Sequence, residues 1–418
     1  MHSDPTSGST ALPLTPLNEV IDIVMSRVPG PQTEDVPLAE SLGRILAEDV
    51  VSQRSLPPFR SSAMDGYALC CGGHGALSGS TFEVLGTVAA GATFGDALGL
   101  GQAVRIMTGA PVPPKADVVV MVEQTTSHPH PVSDRPDTVE INADVAHGSN
   151  IRRAGEDIKP GELVLHAGAV IDPTGIAAAV NAGPTSVPVG KRPRVAVCTT
   201  GDELAGDGEK LSGAKIPDSN RPMLLAAVDA AGCIPIDAGR LGDERATTER
   251  GIARAVAMAD FVITTGGVSA GDFDYVQYVL GDLGWSQRFR IAMKPGKPFS
   301  FAVIEDTPVF ALPGNPVSAY VAFELLVRPA LRAALGSSAP FRPWAQARFA
   351  DDRPAHHDGK THFLRIASLW DDHGLLVKPV TGQGSHQMAA LSLSNGIAAL
   401  ESGRDVHAGD LVPTLLWR

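Results

Sequence analysis

After Pro193 the chain alternates short β-branched runs with amphipathic stretches, and this alternation limits its fold more than any other feature. VAVCTTG runs into a turn, NRPMLLAAVDAAG reads as a helix ending at Gly232, IPIDAGRL as a strand, ATTERGIARAVAMA as a helix and DFVITTGG as a strand. A helix (YVQYVLGDLG), three strands (QRFRIAM, FSFAVI, VFALPG) and a long helix (SAYVAFELLVRPALRAAL) follow. Strands separated by helices predict a mostly parallel sheet covered on both faces. Ligands of such sheets bind beyond the carboxyl ends of the strands, so the polar residues at those ends come first as candidates for chemistry.

Four clusters stand there: TTGDEL (199–204), GRLGDE (239–244), ITTGGVSAGDFDY (263–275), and the pair MKPGKPF (293–299) and LPGNPVS (312–318). The turns Thr199-Thr200-Gly201 and Thr264-Thr265-Gly266 echo each other, as two strand ends facing one crevice. No Walker A loop is present, because no Gly-Lys-Ser/Thr follows a glycine pair at the right spacing, and GGVSAG does not satisfy G-x-G-x-x-G. Thr265, Gly266 and Gly267 nonetheless offer unscreened backbone N–H groups before a helix, an arrangement that holds anions. Asp202, Glu203, Asp243, Asp272 and Asp274 bring carboxylates to the same rim. Each alone also fits a helix N-cap. Recurring at three strand ends beside an anion site, they point to Mg²⁺, which takes few carboxylates plus phosphate oxygens. Lys294 and Lys297 flank a Pro-Gly turn, which suits either a compact dianion or two solvated loop lysines. Pro313 and Pro316 stiffen the turn that delivers Ser318 to a helix start.

Elsewhere the texture differs. Residues 15–28 read as a helix with Thr15 as cap, and a second amphipathic stretch covers 38–52. From 56 to 154 the segments are short, β-branched and separated by Gly and Pro, as in a β-rich domain. Its loop 126–137 carries His128 and His130, which read as an exposed hairpin tip rather than a metal site. Further β-like runs occupy 155–190, and the chain is again β-rich from about 340. A length of 418 residues calls for two to four domains. The expected division is 1–55 with 155–190 as an N-terminal helical and linking subdomain, 56–154 β-rich, 191–338 α/β, and 339–418 a small β domain.

A net charge of −12 argues against a nucleic-acid or anionic-membrane surface but leaves room for a local basic pocket. Cys70, Cys71, Cys198 and Cys233 form no disulfide or zinc pattern, consistent with a reducing cytoplasm. No signal pattern and no apolar run of 18 residues is present, so a cytoplasmic protein is expected.

Eight motifs occur in order: SAMDGYA (62–68), GQAVRIMTGAPVP (101–113), NIRRAGEDI (150–158), TTGDEL, IPDSNR (216–221), GGVSAGDFDY, KPGKPF and LPGNPVSA. Together they resemble the molybdopterin molybdenumtransferases, the MoeA family that includes the E domain of gephyrin. The likeness spans about 38–400, and GQGSHQMAALSLSNGIA (382–398) resembles that family's last domain. The resemblance implies a multidomain α/β plus β-rich fold: a central molybdopterin-binding α/β domain, a β-rich insertion domain and a small C-terminal β-barrel-like domain. It implies an elongated homodimer that places the β-rich domain of one subunit near the α/β crevice of the other. The implied enzyme takes adenylylated molybdopterin and molybdate, hydrolyses the adenylyl anhydride with Mg²⁺, and leaves molybdenum on the dithiolene with release of AMP.

Carried over by motif, Asp65, Thr108, Asp157, Glu203, Asp243 and Asp274 match functional positions, with Asp243 and Asp274 as Mg²⁺ or water-orienting groups. Thr200, Gly201, Gly266, Gly267 and Ser269 would line the pterin and nucleotide pocket. Lys294, Lys297, Pro313, Pro316 and Ser318 match the anion-binding loops, with Arg365 and Ser385 on the molybdate side. The chain departs from the family at Arg60, where an acid or amide is common, and at LGDE, where many members have two Asp. An adenylyltransferase partner and molybdoenzyme acceptors are implied; nucleic acid and membrane are not. Two alternatives share the α/β domain. The molybdopterin adenylyltransferases typically carry Gly-Gly-Thr-Gly where this chain has GGVSAG, and a gephyrin-like scaffold would need an added domain and long linker that are not seen here. A competence-damage-type protein is a third.

Overall fold

The computed structural model describes residues 12–129, 137–206, 208–209, 211–242, 244–267 and 275–417. Its centre is a six-stranded sheet ordered Ile234–Leu241, Arg194–Thr200, Phe261–Thr265, Thr307–Leu312, Pro298–Ile304, Trp285–Arg290. The first four strands are parallel, Pro298–Ile304 runs antiparallel to them, and Trp285–Arg290 pairs antiparallel with Pro298–Ile304. Strand residues alternate between two cores, as the pleat requires. Val195, Val197, Phe261, Ile263, Phe310 and Leu312 join the larger core, where Asn220–Ala230 contributes Leu224 and Val228. Ala196, Cys198, Val262, Val309 and Ala311 face Ile252 of helix Arg245–Met258 and Val279 of helix Tyr275–Leu283. Burial on both faces explains why these strands are continuous apolar runs.

The long C-terminal helix of this unit is interrupted. Pro316–Ala322 is α-helical, Phe323–Val327 forms a π-helical turn, and Arg328–Ala334 is α-helical again. Within the wide turn, Glu324 is buried and accepts from Arg342 Nε at 2.7 Å. Arg328, 3.9 Å from the same carboxylate, has its pKa pushed down to about 10, chiefly by burial.

A second six-stranded sheet is ordered Val118–Met121, Gly66–Leu69, Gln102–Ile106, Thr81–Val88, Asp137–Ile141, Thr125–His128. Near the C-terminus, Thr361–Asp371, Gly374–Pro379, Trp344–Phe349, Leu411–Leu416 and Gly396–Leu400 close into a five-stranded barrel, because the first and last of these also pair. Thr33–Pro37 pairs with Ser186–Gly190, and Val50–Val51 with Leu163–Leu165. The expected α/β, β-rich and barrel-like composition is therefore present. No helix among the described residues is long and apolar enough to cross a membrane.

Two local expectations are corrected. Thr15 does not cap the first helix, Leu17–Met25, whose N-cap position is Pro16. Thr15 instead exchanges backbone hydrogen bonds with Arg290 and Ala292 at 2.8 Å, stitching the N-terminal segment to the central unit. The stretch 38–52 is no helix: only the 3₁₀ turn Leu38–Glu40 forms, Gly43 adopts φ +75°, and Val50–Val51 is a strand. Tertiary pairing outweighs the weak periodicity there. The tip with His130 lies outside the described residues, and His128 faces Glu140 at 3.4 Å.

The hairpin joining Pro298–Ile304 to Thr307–Leu312 turns on Glu305 and Asp306, with φ of +47° and +66°. Such left-handed two-residue turns favour Asn-Gly, and Glu is poorly suited to them. Replacing Glu305-Asp306 by Asn-Gly should stabilise the protein by about 1 kcal/mol. A thermal or urea midpoint that does not rise would show that this turn carries no strain.

Candidate functional site

Two adjoining cavities open where the parallel strands end, and Pro298 lines both. The larger, about 650 Å³, is walled by the turns after Arg194–Thr200, Phe261–Thr265 and Thr307–Leu312. Thr200, Gly201, Glu203, Gly266, Gly267, Pro313 and Pro316, all expected site residues, lie on its wall. Gly266 has φ +94°, and a Cβ there would come within 2.5 Å of Thr200 Oγ1 and 2.6 Å of Thr200 O. The two echoing Thr-Thr-Gly turns thus touch, and glycine is what permits it. Gly201 is favoured by its angle (φ +136°) rather than by space, since a Cβ there would meet only the movable Glu203 carboxylate.

Residues of the IPDSNR motif, unassigned from sequence, organise this wall. Asn220 donates from Nδ2 to Thr265 Oγ1 (3.0 Å) and to the Gly314 carbonyl (2.7 Å). The Thr265 hydroxyl then donates to the Pro313 carbonyl at 2.8 Å. Asp218 accepts from Thr199 Oγ1 at 2.6 Å and from Arg221 Nε at 3.3 Å, and Arg221 reaches Asp237 at 2.9 Å. Asp218 is therefore engaged in holding the wall. The signal for these roles was the motif itself, which carried the resemblance without a physical task.

The second cavity, about 550 Å³, is basic in an acidic protein. Lys294, Lys297, Ser318 and Ser385 line it, joined by Arg353, Lys360 and His362, which sequence reasoning missed. It sits at a seam between central unit and barrel: Met293–Lys294 adds as a parallel strand beside Thr361 and His362, and Thr361 N donates to Ala292 O at 2.9 Å. The Gly382–Ser385 loop is tied to the helix that bears Ser318, since Val317 N donates to Ser385 O at 3.1 Å.

Arg365 stands behind this loop, not in it. Its side chain is fully buried, and its guanidinium donates to the carbonyls of Gly382 (2.6 Å) and Gly384 (3.2 Å). Burial lowers its pKa, and Nε and Nη1 have no hydrogen-bond partner among the described residues. Its geometry positions Ser385.

Asp65 and Thr108 line neither cavity. They form an exposed pair in the β-rich sheet, with Thr108 N and Oγ1 donating to Asp65 Oδ1 at 2.6 and 2.8 Å. Those bonds, the backbone one first, hold the Asp65 carboxyl below its ordinary value. Asp157 lines a separate cavity with Arg152 and Glu156. Arg60, a departure from the family pattern, donates to the Ala116 carbonyl at 2.8 Å and so serves the β-rich fold. Asp243, Ser269, Asp272 and Asp274 lie outside the described residues.

Among the described residues, the larger cavity presents hard oxygen donors (Glu203, hydroxyls, carbonyls) and no thiol. Those oxygens suit Mg²⁺, while the His386 imidazole and the Met388 thioether on the same wall do not.

Comparison with known proteins agrees along the whole chain. Residues 15–183 match the MoeA N-terminal region (domains I and II), 196–333 a probable molybdopterin binding domain, and 346–417 the MoeA C-terminal region (domain IV). A molybdopterin molybdenumtransferase of Haemophilus influenzae is 36% identical over 399 residues, covering 95% of this chain and 97% of that protein. Molybdopterin molybdenumtransferase 2 of Mycobacterium tuberculosis is 37% identical over 387 residues, covering 90% and 92%. The crystal structure of a molybdopterin biosynthesis MoeA protein from Pyrococcus horikoshii superposes with a TM-score of 0.82 at 28% identity, covering 97% of this chain and 100% of that one.

The close approach at Gly266 can be separated from its backbone angle. Gly91 has φ +82° with nothing within 4 Å of where a Cβ would sit, whereas Gly266 has φ +94° and the Thr200 clash. Both Gly→Ala variants bear the angle; only Gly266→Ala should add a steric cost of about 1–3 kcal/mol. Equal losses in thermal stability would remove the contact argument.

Proposed function

The chain belongs to the molybdopterin molybdenumtransferase (MoeA) family, and from that premise we propose how its two cavities share one reaction. It is a transferase of molybdenum cofactor biosynthesis that inserts molybdenum into molybdopterin. In the proposed scheme adenylylated molybdopterin occupies the strand-end cavity and molybdate the basic one. Hydrolysis of the adenylyl anhydride releases AMP and leaves molybdenum on the dithiolene sulfurs. The observation that carries this reading is adjacency: a polar, glycine-walled cavity and a lysine-rich one share Pro298.

Each wall has a task. The Gly267 backbone N–H and the Thr200 hydroxyl face the phosphates, with Gly201 and Gly266 as the close-packed wall, the Gly266 N–H being held by the Leu312 carbonyl at 3.2 Å; Ser269, outside the described residues, is assigned to the pocket by its motif alone. Glu203 positions the substrate, and Pro313 and Pro316 fix the turn that carries Ser318. Lys294, Lys297, Ser318 and Ser385 hold the molybdate dianion by charge and hydrogen bonds, while Arg365 orders the Ser385 loop. Asp243 and Asp274 would hold Mg²⁺, which supplies neutralising charge between these carboxylates and the anhydride. Because half of the basic cavity comes from the barrel, insertion is favoured over adenylyl transfer, which would need only the α/β part.

Asp65, Thr108 and Asp157 stand apart from both cavities, which supports a homodimer in which they complete the site of the other subunit. The four-part division 1–55 with 155–190, 56–154, 191–338 and 339–418 is proposed on the same basis, with a cytoplasmic location among the other enzymes of cofactor assembly.

With adenylylated molybdopterin and Mg²⁺, AMP release should depend on molybdate and yield active cofactor. Asp274→Asn should abolish it while leaving circular dichroism unchanged; normal turnover by this variant removes Asp274 from the reaction. If sites are shared across the dimer, re-associating equal amounts of Asp65→Asn and Asp274→Asn should restore about one quarter of wild-type activity. No recovery, with mixed dimers verified, would place both residues in one subunit's site.

A further inference from the structure

The wall of the basic cavity holds an arrangement that the reaction scheme does not use. His356 and His362 stack with ring centroids 3.5 Å apart and planes 5° from parallel. Asp358 bridges them: Oδ1 faces His356 Nδ1 at 3.1 Å and Oδ2 faces His362 Nε2 at 3.1 Å. Lys360 Nζ donates to the same Oδ2 at 2.7 Å. The three donors lie within 4.8 Å of one another, close enough to invite a metal assignment. The geometry rejects it. An ion held by both imidazoles must lie near both ring planes, and parallel planes 3.5 Å apart do not converge on one ion. The lysine on the bridging carboxylate would also repel a cation.

The surroundings make the unit useful for an anion. His362 lines the cavity and is the register partner of Lys294 across the seam. From its own segment it faces Asp358, Lys360 and the stacked His356; from the 293–297 segment come Lys294 and Lys297, and from the barrel entrance Arg353. The loop 382–385 adds Gln383, Gly384 and Ser385, none charged. One carboxylate thus serves two imidazoles amid four permanent cations. Charging both rings is unfavourable there until another anion enters.

We propose that the His356–Asp358–His362 unit makes oxyanion binding proton-linked: a compact dianion entering the basic cavity draws one proton from solvent onto the stacked pair. The inference rests on reading that cavity as the molybdate site. The direction follows from linkage. Burial first, then His356 and Lys294, hold the His362 pKa below its ordinary value, while the Asp358 hydrogen bond opposes them. A dianion beside the ring raises that pKa. Affinity is therefore greatest at pH below the His362 range and falls as pH rises through it, from the lowered free value to the raised bound one.

The test uses the full chain and isothermal titration calorimetry with molybdate from about pH 6 to about pH 8.5, in buffers of different ionisation heat. Sulfate is the second probe, a dianion of the same shape that takes no proton in this range. We expect Kd to weaken roughly tenfold across the range for both anions, with uptake of up to about one proton at pH between the free and the bound His362 values, falling off on either side. His362→Gln should bind near the wild-type high-pH affinity with a flat profile. Lys297→Ala should bind more weakly at every pH and keep the slope. A flat wild-type profile, no proton uptake, or an unchanged slope in His362→Gln overturns the coupling while leaving the oxyanion site standing. Failure of the wild type to bind either anion at any pH overturns the site reading and the coupling with it.

Discussion

A chain of hydrogen bonds from Asn220 through Thr265 to the Pro313 and Gly314 carbonyls fixes the geometry on which the rest of the site depends. Parallel strands end in turns whose carbonyls have no sheet partner, and buried polar groups left unpaired are costly. Here those carbonyls are satisfied by a helix residue and a strand hydroxyl, so the turns after Phe261–Thr265 and Thr307–Leu312 are tied to each other and to the helix start at Asn220. With no side chain at Gly266, the strand-end turns of Arg194–Thr200 and Phe261–Thr265 come into direct contact. The cavity is thereby preorganised: its wall is held by groups that need no substrate to find their places.

The electrostatics are built on a contrast. A protein of net charge −12 repels anionic substrates at long range, yet it gathers Lys294, Lys297, Lys360 and Arg353 in one concavity. Concave, partly buried charges act through less water than surface ones, so a few lysines at close quarters outweigh a diffuse acidic surface screened by salt. Backbone pairing of Met293–Lys294 with Thr361–His362 brings half of those charges to the other half. The basic cavity is thus a property of the seam between central unit and barrel rather than of either alone.

Much of this was legible in the sequence. Strand–helix alternation revealed the central sheet because burial on both faces leaves apolar runs that side-chain chemistry cannot disguise. Glycines and threonines at strand ends located the crevice, since only special backbone angles and small side chains fit there. What escaped was set by distant contacts. Thr15 reads as a helix cap but is claimed by Arg290 and Ala292, and 38–52 reads as amphipathic but is divided by Gly43 and a strand pairing with Leu163–Leu165. Arg365 reads as an anion ligand, yet its fully buried guanidinium faces carbonyls. His362 and Lys360 carry no local signal, because their partner Lys294 lies far away in the chain.

The π-helical turn at Phe323–Val327 has a consequence for how the molecule can vary. Such a turn holds about one residue more than an α-turn and so rotates everything after it by about 100°. Upstream, Pro316–Ala322 must aim Ser318 at the cavity; downstream, Arg328–Ala334 leads to Leu335, whose carbonyl lies against Gly190 where a Cβ would be only 1.9 Å away. One rigid cylinder would lock these orientations to each other. The wide turn sets the phase between two clients, so that Ser318 can face the basic cavity while Leu335 packs against Gly190.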